Sequence, residues 1–261
     1  MWLTIAMMFF LSITFAGRVH AEEVTYSGPI QVRREEESLK IQRAPAYDKE
    51  KAREFIPLMP DLREGIRTIE AEDLLFFGDR SPSEDARKEL REALEELCQG
   101  DHFVSFLMVD ARSLSGAAYR CDVPFCTQST IKAIYVGTLL ENNPLALQEN
   151  GQYMRDAIVY SDNEAYERLR SIYGNDDLRR WFREVGIEEE KALPLYPRDM
   201  TVKEMVLLWT RLYAVLNGED PENFAAYYAD SFASAASSIL GEAYPLQTKA
   251  GWEIGLDEAL P

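Results

Sequence analysis

F-C-T-Q-S-T-I-K-A-I-Y-V, Phe125 to Val136, is the stretch on which the reading of this chain turns. Ser129 and Lys132 stand three residues apart at the start of a predicted helix, which runs to about Leu140. Residues i and i+3 share one helix face. A hydroxyl and an amine would then sit together at a helix N-terminus, where backbone N–H groups point outward and the dipole is positive. That setting disfavours an ammonium and favours a developing oxyanion, as a serine nucleophile with a lysine base requires. A Ser-x-x-Lys tetrad also arises by chance about once in a chain of this size. Read alone, the pair is an N-cap serine and a solvated lysine, so the rest of the chain must decide.

Upstream, Ser81-Pro82-Ser83-Glu84 predicts a helix start, and Leu90, Ala93, Leu94 and Leu97 follow at helical spacing. Phe103 to Val109 is a dense apolar run that predicts a central strand, and Ala117 to Cys121 a second strand closing a hairpin. Downstream, helices are predicted over about 151–159, 163–173 and 176–185. Another starts at Thr201, where Glu204 completes a capping box, and a further one spans 224–240. Gln247 to Trp252 reads as a strand edge. Helix, hairpin, helical block and a return to strand predict an α/β fold, an α+β sandwich with a helical lobe.

The chain has 261 residues, 46% hydrophobic and 28% charged, with a net charge of −17. Nucleic acid and anionic membrane surfaces need clustered positive charge, so neither is an expected partner. The only histidines are His20 and His102, so a Ser-His-Asp triad would have to rest on His102. Cys98, Cys121 and Cys126 lack metal-ligand spacing, and no metal is expected. Cys121 and Cys126 either pair across a turn at Pro124 or remain reduced and buried with Cys98.

Trp2 to Ala16 is apolar, and Val19-His20-Ala21 resembles a cleavage site with Glu22 as the new first residue. Residues 1–21 are therefore read as a signal peptide, although the lack of a basic n-region also fits an uncleaved anchor. Export to the periplasm, cell envelope or extracellular space is expected. Residues 22–80, with R-R-E-E-E and P-L-M-P, read as an acidic, irregular extension. Within it Phe55, Ile56, Leu58 and Met59 could dock on a domain surface. Residues 81–261 are the predicted catalytic domain.

Three motifs stand in a fixed order: S-T-I-K at Ser129–Lys132, S-D-N at Ser161–Asn163 and K-A-G at Lys249–Gly251. The set resembles S-x-x-K, S-D-N and K-T-G of class A β-lactamases and penicillin-binding proteins. Phe125 four before the serine, and P-R-D-M-T before a helix, are similar too. The resemblance spans Ser83 to the C-terminus. It implies a β-lactamase/transpeptidase-like fold and a monomeric serine hydrolase, with no cofactor, that forms an acyl-enzyme with a β-lactam or a peptidoglycan stem peptide. Ser129 would attack the acyl carbon, and Lys132 would take its proton, directly or through water. Ser161 would relay a proton to the leaving nitrogen. Lys249 would supply positive potential, and Asn163 would bind the substrate amide. The backbone N–H groups of Ser129 and Trp252 would form the oxyanion hole, and Gly251 would let substrate approach the strand. Ala250 stands where a hydroxyl residue is usual, so carboxylate binding should be weaker.

Other departures qualify the resemblance. Ser129 and Ser161 lie 32 positions apart, which implies a trimmed helical lobe. The segment from Gly186 to Thr201 lacks E-x-x-L-N, the source of the glutamate that activates the deacylating water. Glu188, Glu189 or Glu190 would have to substitute, or the acyl-enzyme would persist. The sequence ends at Pro261, which leaves no room for two further strands and a closing helix. A fragment, a truncated gene or a sheet completed by a partner is expected. The rival expectation is a non-catalytic or truncated relative that acts as a cell-wall or peptide-binding module.

Overall fold

The computed structural model describes residues 48–98, 102–218, 224–229, 231 and 246–251, together with a strand at Phe10–Phe15. In chain order the elements are β1 (Phe10–Phe15), α1 (Lys49–Arg53), α2 (Met59–Arg67), β2 (Leu75–Phe77) and α3 (Glu84–Leu97). The hairpin β3 (His102–Val109) and β4 (Gly116–Tyr119) follows, then α4 (Ile131–Asn142), α5 (Pro144–Val159), α6 (Asn163–Tyr173) and α7 (Asp176–Glu184). The last are α8 (Val202–Asn217) and α9 (Ala225–Ala229). The sheet is antiparallel in the order β1-β3-β4-β2. The fold is mixed α/β, with helices around a small sheet.

β3 is apolar apart from His102 and Ser105, as both of its faces are covered. Val104 and Phe106 pack with Leu94 of α3 on one face. Leu107 and Val109 belong to the main core on the other, with α2 and α8. Alternate residues of a strand face opposite sides, so one continuous run serves two layers. In the helical block α4 is the axis: Ile131 to Leu139 are all buried, lysine included. Helices α5, α7 and α8 pack around it. Gly137 permits the closest approach, since a Cβ there would lie 2.4 Å from Leu212 Cδ1 and 3.1 Å from a Trp181 ring carbon.

Helix starts follow the predicted chemistry. Ser83 Oγ accepts from Ala86 N at the start of α3. Thr201 and Glu204 form the expected reciprocal capping box on α8. Two expectations are corrected. Residues 48–80 are no irregular arm, because Phe55, Met59, Leu62 and Ile66 are at most 1% exposed and belong to the main core. Asp61 and Glu64 lie on the outer face of α2, and Pro57 and Pro60 fall in first helical turns, where a missing N–H costs nothing; R-R-E-E-E lies outside the described residues. Gln247 to Trp252 was expected to be a strand. Its described part, to Gly251, joins no ladder. Thr248 N instead donates to Tyr228 O of α9 at 2.9 Å, while the edge of β4 is taken by β2. Within the expected leader, Phe10–Phe15 pairs with β3. The rest of that leader, residues 22–47 and most of the 224–240 helix lie outside the described residues. Cys98, Cys121 and Cys126 are free thiols.

Candidate active site

The chain enters the site along a short antiparallel bridge. Phe125 N donates to Met200 O at 2.7 Å, and Met200 N returns a bond to Phe125 O at 3.2 Å. Two residues on, Thr127 donates through both N and Oγ1 to Pro197 O, at 2.8 and 3.1 Å. Gln128 then takes φ = 48°, a left-handed conformation uncommon for a side chain of this size. This kink turns the chain into a 3-10 turn, Gln128–Thr130, and places half-buried Ser129 at the mouth of α4. Strain of this kind collects at functional sites because the surroundings must enforce it.

Lys132, the second residue of α4, is fully buried. Its Nζ donates to Ser161 O at 2.7 Å and Asn163 Oδ1 at 2.5 Å. It makes no hydrogen bond with Ser129 Oγ, the partner expected of a base. Ser161 also has a left-handed backbone, φ = 56°. Between it and Asn163, Asp162 caps α6 by accepting from Ala165 N at 2.8 Å. The S-D-N motif thus divides its labour: the middle residue starts a helix, and that frees its neighbours to face Lys132. Burial pulls the Lys132 ammonium down to about 8, against the opposing charges of Asp162 and Glu167.

Lys249 arrives from the other end of the chain. It is 6% exposed, and its Nζ donates to Ser161 Oγ at 2.9 Å and Ala250 O at 2.6 Å. Burial first, and the charge of Lys132 second, push it down to about 7. Ser161 therefore lies between two ammonium groups, one on its carbonyl and one on its hydroxyl. Gly251 lies against the start of α4: a Cβ there would be 3.0 Å from Ser129 N and 2.9 Å from Thr130 N. Thr130 N already donates to Thr127 O, so Ser129 N is the amide available to a ligand oxygen. Ala250 is half-buried beside it. Trp252 lies outside the described residues.

The expected deacylating glutamates are placed otherwise. Glu189 is held by Arg179 and Arg183 of α7, and Glu188 and Glu190 are exposed. Three residues that motif reading missed border the site. Tyr196 donates to Asn163 Oδ1 at 3.0 Å. Its ring and that of Tyr166 lie 5.9 and 5.8 Å from Lys132 Nζ. Glu167 stands four residues after Asn163, on the same exposed face of α6. That spacing was the one signal in the sequence that pointed to it. A cleft of about 410 Å³ lined by Gly65, Leu75, Phe77 and Leu114 shares no residue with this site. Among the described residues no group of three His, Cys, Asp or Glu side chains is placed to hold a metal. Comparison of the chain with models of known families, with curated proteins and with solved structures returned no match.

Proposed function

We propose that this chain is an exported serine acyl-transfer enzyme of the β-lactamase and penicillin-binding type, with the corresponding transpeptidase-like fold. Its substrate would be a β-lactam or a D-alanyl stem peptide. One observation carries the reading. Residues from three distant motifs, Lys132, Ser161, Asn163 and Lys249, share hydrogen bonds at one point, with Gly251 against the Ser129 amide. Capping and core packing account for Asp162 and for α4, but supply no reason to bury two lysines around one serine. A buried ammonium is costly, and perturbed groups of this kind cluster where proton transfer is needed.

The chemistry follows from the roles of the groups. Ser129 Oγ attacks the acyl carbon, and its proton passes to the neutral Lys132 amine. The new oxyanion takes a hydrogen bond from Ser129 N at the positive end of α4. The carbon–nitrogen bond then breaks, and the nitrogen takes the Ser161 hydroxyl proton, which the Lys249 ammonium replaces. The product is an ester on Ser129. The loop at 187–200 brings Tyr196 to the site and keeps its own glutamates away, and Glu167 is exposed on α6, so hydrolysis of that ester is expected to be slow. The reading is therefore a penicillin-binding acylation before an efficient β-lactamase.

A fluorescent penicillin tests it. The full-length protein should be labelled covalently, and Ser129→Ala should abolish labelling; a folded wild-type protein that stays unlabelled sinks the enzyme reading. Turnover of a chromogenic cephalosporin should be far slower than labelling. The second reading, a non-catalytic peptide or cell-wall binding module, is favoured by the bonding of Lys132 to Ser161 O and Asn163 Oδ1 with no bond to Ser129 Oγ. It predicts saturable binding of a D-alanyl peptide with no covalent label.

A further inference from the structure

The loop from Ile187 to Met200 buries Ile187, Ala192 and Met200 in the core, and its backbone is fastened besides to α6 and to the segment that leads to Ser129. Arg170, 9% exposed on α6, donates to the carbonyls of Ala192, Leu193 and Pro194. Its other terminal nitrogen donates to Tyr166 Oη at 2.8 Å, and its guanidinium stacks 5.2 Å from the Tyr135 ring centroid. Among the described residues it has no carboxylate partner, so this buried charge is spent on positioning a loop. Tyr166 Oη donates to Leu195 O at 2.9 Å, and Pro197 O receives both bonds from Thr127. The residue between these last two anchors is Tyr196. Its neighbours on either side are pinned, one to α6 and one to the segment that leads to Ser129.

The Tyr196 hydroxyl meets Asn163 Oδ1, the same atom that accepts from Lys132. An ammonium has only donors, so while Lys132 is charged the atom it touches must be the amide oxygen, and Nδ2 must point the other way. Acylation, however, requires Lys132 to be neutral. A neutral amine can accept a hydrogen bond as well as donate one, and the constraint on the Asn163 amide is then lost. A phenol is a much better donor than acceptor, and keeps its proton throughout. Burial raises the Tyr196 phenol above its ordinary range, and Glu167 adds to this.

We propose that Tyr196 is a positioning residue: it holds the Asn163 amide with Nδ2 toward the cleft while Lys132 is neutral, and so selects acyl donors that carry a side-chain amide carbonyl. The proposal rests on the acyl-transfer reading above. It takes amide binding by Asn163 from that reading and adds the residue that makes the recognition persist.

Benzylpenicillin carries an acylamino side chain, and 6-aminopenicillanic acid is the same nucleus with a free amine. Second-order acylation constants for both, from competition with a fluorescent penicillin, give a selectivity ratio for the full-length protein. In Tyr196→Phe the ring and its packing remain, and the ratio should fall about tenfold, the worth of one well-placed hydrogen bond. Asn163→Ala should lower the ratio too, and adding Tyr196→Phe to it should lower it no further, because the phenol acts through that amide. A ratio unchanged in Tyr196→Phe, equal losses on both compounds, or additive falls in the double variant overturn the positioning role while leaving acyl transfer intact. A wild-type protein that neither compound acylates overturns the acyl-transfer reading, and this proposal with it.

Discussion

The site has two halves that are held in different ways. Ser129, Lys132, Ser161 and Asn163 sit on the ends and first turns of α4 and α6, whose other faces carry Ile131, Ile134, Val136, Tyr166 and Leu169, none more than 1% exposed. Packing would place that half whether or not it did chemistry. Lys249 to Gly251 belong to an irregular segment, tied back through Thr248 to Tyr228 and through Lys249 to Ser161. There a reactive group is itself part of the attachment. One half of the site is thus held by packing and the other by hydrogen bonds of its own polar groups; in the proposed acylation the first would align nucleophile and base, and the second would meet substrate.

Lys249→Met should have the largest effect. Lys249 is held far below its ordinary 10.5, at about 7, so burying its charge costs the folded state up to about 5 kcal/mol. Methionine keeps the length and removes that cost. Below pH 7 the wild type carries the charge in both states, and the variant should be the more stable by several kcal/mol. As pH rises from about 7 towards 10.5, the folded wild type has released the proton and the unfolded chain has not. Wild-type stability therefore rises relative to the variant, and the gap closes. Urea unfolding at pH 6, 8 and 9.5 measures this. A gap independent of pH would show that Lys249 is placed by its stem and not against its charge. Labelling should be lost in the variant, the usual trade of stability against function.

Gly137→Val probes the packed half. The Cβ would collide with Leu212 and Trp181, on the two helices that hold α4 in place. A better helix former at this position recovers under 1 kcal/mol, while overpacking costs more, so a net loss of about 3 kcal/mol is expected. Because α4 carries Ser129 and Lys132, labelling should weaken together with the midpoint of unfolding. A stable variant with lost labelling would separate the alignment of the pair from the packing of its helix.

The two halves were also unequally legible in the sequence. β3, the α3 and α8 caps and the helix after Ser129 follow from local rules: a continuous apolar run, a serine or threonine before acids, a proline or glycine at an end. The three motifs could be ordered, and their meeting at Ser161 agrees with that order. The segment at 48–80 was misread because its charges and prolines were counted, whereas Phe55, Met59, Leu62 and Ile66 sit at a helical interval along one stripe. The strand expected at Lys249 failed for a reason that lies outside its own residues: Thr248 N is taken by Tyr228 O of α9 and not by a neighbouring strand. Tyr196 and Arg170 were invisible for a like reason. Their importance lies in which carbonyl or amide they reach, across 33 residues from Tyr196 to Asn163 and 22 from Arg170 to Ala192, and no local pattern encodes that.

Gly251→Ala tests the loosely held half at its closest contact. The added methyl would lie 2.9 Å from Thr130 N and 3.0 Å from Ser129 N, inside ordinary van der Waals contact, in the space where a ligand oxygen would meet the start of α4. The segment is exposed at this point, so it can shift outward at little cost to the fold, and the unfolding midpoint should move only slightly. What the shift removes is the fit between that amide and the reacting carbonyl. Loss of one donor at such a position lowers acylation on the order of a hundredfold. Labelling that falls without a change in stability would place Gly251 at the reacting oxygen. Labelling and stability that fall together would mean that the segment is anchored by the packing of Gly251 on α4, and the two halves of the site would then be a single folded unit.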